Sequence, residues 1–152
     1  MYSDPNSVKR ISSLGAGPIG GGWTAHFLAR GYDVTAYLHD KSETSSFMSI
    51  LKTAWVSLTE LGLAPDASME RLRIVTDLEE ALEGADFVQE SGPERLEVKQ
   101  ELYSEMGRLL PPSIIIGSST SGLMMSDIQS DCSTPERTVI GHPFNPPYLL
   151  PL

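Results

Sequence analysis

Between Leu14 and Trp23 the chain reads GAGPIGGG, five glycines in eight residues. The segment before it, VKRISSL (8–14), has the composition of a short strand. The segment after it, WTAHFLARG, has helical apolar spacing and ends on Gly31. A strand that turns through glycines directly into a helix leaves few topologies open. Gly15, Gly17 and Gly20 hold the G-x-G-x-x-G spacing, with Pro18 and Ile19 filling the turn. In that context Gly15 permits the tight turn, Gly17 lets a phosphate approach the backbone, and Gly20 lets the helix lie against the strand. The free N–H groups and partial positive charge of a helix N-terminus would then receive a pyrophosphate. Gly21 and Gly22 extend the run, and each interior helix glycine costs roughly 1 kcal/mol relative to alanine. Close packing or ligand approach has to offset that cost.

The rest of the chain repeats the alternation. YDVTAYL reads as a second strand, completing a βαβ unit. From Ser42 to Gly62, Phe47, Ile50, Leu51, Ala54, Trp55, Leu58 and Leu61 mark one helix face. LRIVT is a third strand, DLEEALEGA a short helix capped by Asp77 or Thr76, and ADFVQE a fourth strand. Pro93 is expected to open a long helix with Leu96, Leu102, Tyr103, Met106 and Leu109 inward. PPSIIIGSS supplies a fifth strand, MMSDIQSD a short helix and RTVIGH a sixth strand. Alternating strands and helices imply an α/β fold, a doubly wound parallel sheet of the Rossmann type, as one domain over residues 1–152.

A formal net charge of −9 disfavours nucleic acid or an anionic membrane surface as partner. A single cysteine, Cys132, allows no internal disulfide, and no apolar run marks export or membrane insertion; the expectation is a cytoplasmic protein. NAD is favoured as cofactor. The acid that usually ends the second strand and holds the ribose hydroxyls is displaced, because Leu38 stands at the expected position and Asp40 lies twenty residues after Gly20. Asp40 is the candidate ribose partner. No arginine follows to welcome a 2′-phosphate, and Lys41 alone argues weakly for NADP. His26 and His39 read as surface residues, Trp23 and Trp55 as core, and Cys132 as inert.

Four blocks occur in a fixed order: GAGPIGGGW, ADFVQESGPERLEVKQELY, GSSTSGL and GHPFNPPYLLPL. With them the chain resembles the cofactor domain of the 3-hydroxyacyl-CoA dehydrogenase superfamily, nearest its L-carnitine branch. The L-gulonate 3-dehydrogenase branch of lambda-crystallin type is the next likeness. The resemblance implies oxidation of a secondary 3-hydroxyl by hydride transfer to NAD, with His142 taking the proton. A neutral imidazole suits that work near neutral pH. It further implies that Ser121 and Asn145 orient the substrate, that Glu94, Lys99 and Ser119 lie along the cofactor, and that the parent enzyme is a homodimer. Ser119 stands where the acyl-CoA branch has asparagine, which speaks against a CoA substrate. Phe144 would face a trimethylammonium group. The family's partner acid for the histidine falls at position 154, so the resemblance implies a chain cut short, without its helical C-terminal domain and with little or no turnover alone. A non-catalytic, crystallin-like module stays open as the alternative. So do plainer roles: Ser121 as a helix cap, Glu94 as a first-turn acid, and Lys99 as a solvated side chain.

Overall fold

The computed structural model describes residues 4–151, so residues 1–3 and 152 of the expected domain lie outside the described residues. In chain order the elements are β1 (Arg10–Leu14), α1 (Pro18–Ala29), β2 (Asp33–Tyr37), α2 (Thr44–Leu61), β3 (Leu72–Val75) and α3 (Leu78–Leu82). They continue with β4 (Phe87–Glu90), α4 (Leu96–Leu109), β5 (Ile115–Ser118), α5 (Met125–Ile128) and β6 (Thr138–Ile140). The six strands form one sheet in the order β3-β2-β1-β4-β5-β6, with every neighbouring pair parallel. This is the expected doubly wound sheet. The chain reverses its direction of winding between β1 and β4, and ligands of such sheets bind outside the strand C-termini at that point.

Two cores sit on the two faces. On one, α1 and α2 bury Ile11, Val34, Ala36 and Leu38. On the other, α3, α4 and α5 bury Leu14, Val75, Val88 and Ile116. From Ile11 on, strand β1 is buried, and its two buried polar side chains are satisfied inside: Ser12 donates to the carbonyl of Ala81, and Thr24 donates to Ser13 Oγ. Asp77 caps α3 by accepting from the Glu80 N–H at 2.8 Å.

Four expectations need correction. Leu61 and Leu109 are 70% and 41% exposed, each the last residue of its helix. Pro93 does not open α4, because the Arg95 N–H turns back to the Pro93 carbonyl and the helix starts at Leu96. His26 is half-buried against Trp23 and Phe27 rather than on the surface; burial lowers its pKa, partly opposed by a backbone hydrogen bond at Tyr148. Ser121 caps nothing, since α5 begins at Met125 with no side-chain cap. Among the described residues no helix is long and apolar enough to cross a membrane.

Candidate cofactor and active site

Gly15 has φ +126°, and a Cβ there would also overlap the Ser91 carbonyl at the end of β4. Only glycine fits on both counts. The next glycines are explained by packing. A Cβ on Gly20 would overlap the Gly15 carbonyl; on Gly21 it would lie 2.7 Å from Ile50 Cγ2 of α2; on Gly22 it would lie 2.8 Å from Pro147 Cδ. Gly17 differs, having an ordinary φ of −74° and no protein atom within 4 Å of a built Cβ. Neither strain nor packing asks for glycine there, which leaves approach by something outside the chain.

Gly17 borders a groove of about 740 Å³ that runs from the glycine turn along the ends of β2 and β4. The N-terminus of α1 opens into it with no side-chain cap and no acidic residue in its first turn. Its free N–H groups fit the phosphates of a dinucleotide. Leu78, Val98 and Leu102 supply an apolar slot further along, wide of the turn and suited to a flat base.

At the end of β2 the expected ribose partners sit elsewhere. Leu38 is fully buried in the α1–α2 core. Asp40 is exposed and does not line the groove; its carboxylate accepts from the Ser42 N–H at 2.8 Å, and this hydrogen bonding with Ser42 lowers its pKa. Glu43 closes the turn from the other side, accepting from the Asp40 N–H at 3.2 Å, and does line the groove.

Beyond β4 lies a polar network that sequence spacing did not disclose. Glu90 has no exposed surface and accepts from Lys99 Nζ (2.7 Å), the Gly92 N–H (2.6 Å) and Ser118 Oγ (2.6 Å). Lys99, only 1% exposed, is therefore neither solvated nor on the groove wall. Its ammonium also lies 3.7 Å from Glu94 Oε2. Glu94 holds the loop after β5, accepting from Thr120 Oγ1 (2.7 Å), the Ser121 N–H (2.8 Å) and the Gly122 N–H (3.1 Å). Partial burial opposes ionisation of Glu94, but those donors and the Lys99 charge outweigh it and bring its pKa down to about 2.

Ser119 Oγ accepts from Trp23 Nε1 at 3.1 Å and from Gln89 Nε2 at 3.0 Å, so its own proton points to Ser91 Oγ at 2.8 Å. The hydroxyl is consumed within the protein and acts as scaffold. Trp23, expected only as core, supplies one of its donors. The Ser119 carbonyl meets His142 Nδ1 at 3.2 Å. A carbonyl cannot donate, so Nδ1 carries the hydrogen and Nε2 of the neutral ring keeps a free lone pair. His142, Asn145 and Phe144 are all exposed on the loop after β6, Phe144 by 68%. Ser121 is exposed on the neighbouring loop, its hydroxyl 3.3 Å from Glu94. The structure thus brings Ser119, Ser121 and His142 to adjoining strand ends.

Comparison with known proteins places this geometry. Residues 10–152 match the model of the 3-hydroxyacyl-CoA dehydrogenase NAD binding domain. The L-carnitine dehydrogenase of Streptomyces coelicolor is 49% identical over 150 residues, covering 99% of this chain and 47% of that protein. The L-carnitine dehydrogenase of Nocardiopsis dassonvillei is 51% identical over 148 residues, covering 97% and 45%. Among solved structures, 3-hydroxybutyryl-CoA dehydrogenase from Escherichia coli K12 superposes with a TM-score of 0.82 at 28% identity, over 92% of this chain and 30% of that one. An NAD⁺-dependent dismutase, 5-formyl-3-hydroxy-2-methylpyridine 4-carboxylic acid 5-dehydrogenase, gives 0.83 at 33%, over 93% and 46%. The chain spans a little under half the length of the curated relatives it matches. By the extent of the family match and the agreement of fold and glycine turn, the chain belongs to the 3-hydroxyacyl-CoA dehydrogenase family, as its NAD-binding domain.

Proposed function

We propose that the chain is the cofactor half of an NAD-dependent dehydrogenase that oxidises the secondary 3-hydroxyl of a small hydroxy acid, L-carnitine, to the 3-keto acid. The observation that carries this reading is the His142–Ser119 hydrogen bond, which leaves Nε2 of the imidazole as a free base. The groove holds NAD through the α1 N-terminus and the bare backbone at Gly17, and NAD supplies the hydride acceptor. Gly15, Pro18, Ile19 and Gly20 shape that end of the groove. His142 takes the hydroxyl proton, and Ser121 and Asn145 present polar groups to the same oxygen. Glu94 and Lys99 act on the reaction through the Thr120–Gly122 loop that they hold. The exposed ring of Phe144 suits a trimethylammonium cation, an attraction of roughly 0.5 to 2 kcal/mol once desolvated. Ser119 cannot reach the cofactor with its hydroxyl and serves as the histidine's support. A homodimer in a reducing, cytoplasmic setting fits the lone thiol and the exposed apolar side chains of Val139, Ile140, Leu149 and Leu150.

The test has two layers. Nitrogen NMR of the neutral chain is expected to find His142 protonated at Nδ1, and calorimetry to find saturable NADH binding. The chain extended by the C-terminal half of an L-carnitine dehydrogenase relative is then expected to form NADH from L-carnitine and NAD⁺, and His142→Gln to abolish it. An Nε2-protonated ring, or turnover that survives His142→Gln, would remove His142 as the base.

A further inference from the structure

We propose that Glu43 sets the preference of this groove for NAD over NADP, by meeting the adenosine ribose in place of the acid missing from the end of β2. This rests on the reading that the groove takes a dinucleotide. Three observations converge on Glu43. The strand-end position is closed, because the Leu38 side chain has no exposed surface and points into the α1–α2 core. The nearby acid, Asp40, is turned away from the groove and engaged with the Ser42 N–H. Glu43 alone of the acids on this turn lines the groove; it is half-buried, and one of its oxygens is fixed by the Asp40 N–H while the other is left for a ligand hydroxyl.

The surroundings sharpen the discrimination. From α4 the groove lining takes Glu101 and Glu105 together with Val98 and Leu102, the apolar side chains that would meet adenine. The Tyr37 phenol on the groove wall reports the resulting field: its pKa is raised by burial and then by the charges of Glu105, Asp77 and Glu43. Among the described residues no lysine or arginine lines the groove, and its one ionisable base is His39. Lys41 is exposed and lies off the lining. A 2′-phosphate brings about −1.5 to −2 charges near neutral pH and would find carboxylates with no cation to receive it. The vicinal hydroxyls of an unphosphorylated ribose would instead donate to Glu43, a charge-assisted bond of the stronger kind.

Calorimetric titration of the chain with NADH and NADPH, for wild type, Glu43→Gln and Glu43→Arg, tests the assignment. Glu43→Gln keeps an oxygen for the Asp40 N–H, and thermal melting checks that each variant folds. The wild type is expected to favour NADH by about tenfold or more, a difference of about 1.4 kcal/mol. Glu43→Gln should shrink that ratio several-fold, and Glu43→Arg should raise NADPH affinity in absolute terms. The same pattern is expected with 5′-AMP against its 2′-phosphorylated form, which removes the nicotinamide end from the comparison. A folded Glu43→Gln and Glu43→Arg pair with an unchanged NADH-to-NADPH ratio overturns the role of Glu43 and leaves the groove intact. A wild type that binds neither dinucleotide nor 5′-AMP overturns the cofactor groove itself.

Discussion

Replacing Lys99 by methionine isolates the buried ion pair of the fold. Glu90 is fully buried and Lys99 is 1% exposed, with 2.7 Å between the ammonium and the carboxylate. Methionine keeps most of the lysine stem but removes the charge, leaving the Glu90 carboxylate with only the Gly92 N–H and Ser118 Oγ. Breaking one partner out of a buried pair typically costs about 3–5 kcal/mol. For a domain of this size each kcal/mol moves the melting temperature by about 2–4 °C, so a drop of about 6–20 °C is expected. Urea unfolding at neutral pH measures the free energy, with the slope checked for constancy. Arg108 provides the contrast: its exposed pair with Glu105, at 3.8 Å, should be worth about 0–1 kcal/mol to Arg108→Ala. The double replacement Lys99→Met with Glu90→Leu removes both charges but strands the Gly92 N–H and the Ser118 hydroxyl, so it should cost less than the two single changes summed. Lys99→Met within about 1 kcal/mol of wild type, or single costs that simply add, would refute the claim that the pair is a coupled, desolvated unit.

Two further outcomes follow from the same geometry. Glu94 has its folded pKa held at about 2, below the ordinary value of 4.5, so it contributes stability that is present above pH 4.5 and lost as the pH falls towards 2. The gap in urea midpoint between wild type and Glu94→Gln should therefore be constant above pH 4.5 and close between pH 4.5 and 2; a gap independent of pH would show that the carboxylate charge is not what holds the Thr120–Gly122 loop. Leu38→Asp, which restores the usual strand-end acid in sequence, should destabilise the domain by several kcal/mol, because the side chain enters the α1–α2 core without a partner. A Leu38→Asp variant that melts like wild type and binds NADH more tightly would mean that this side chain can turn into the groove.

The glycine turn was legible because much of its chemistry is local: the positive φ at Gly15 and the packing of Gly20 on the Gly15 carbonyl concern residues a few positions apart. The parallel, doubly wound sheet followed from the alternation of strands and helices, since parallel neighbours need helical crossovers. What stayed hidden depends on contacts made across the sheet. Nothing in QESGPERLEVKQ distinguishes a solvated lysine from one that reaches back nine positions to a buried carboxylate, since both are ordinary charges on a helix start. Asp40 and Glu43 are both acids after a strand, and only the turn between them decides which faces the groove. The resemblance set Ser119 along the cofactor, and nothing in its own block discloses the three partners of its hydroxyl, Trp23, Gln89 and Ser91, which come from three other segments.

The run GAGPIGGGW does more than border the groove, as its successive neighbours show. Gly20 packs on the turn itself, Gly21 on Ile50 of α2, Gly22 on Pro147 of the histidine loop, and Trp23 donates to the Ser119 hydroxyl. Ser119 and His142 stand 23 residues apart and meet because β5 pairs with β6, Ser118 opposite Ile140. One helix, α1, thus presents its N-terminus to the groove and, within the following turn, touches both the loop that bears His142 and the residue that fixes its tautomer. The spacing between the groove at the α1 N-terminus and His142 is carried by consecutive positions on one helix. The three helix glycines, each at a cost of roughly 1 kcal/mol, keep that spacing: a larger side chain at Gly20, Gly21 or Gly22 would push α1 off the turn, off α2 or off the histidine loop, and in each case would move the groove end of α1 relative to His142.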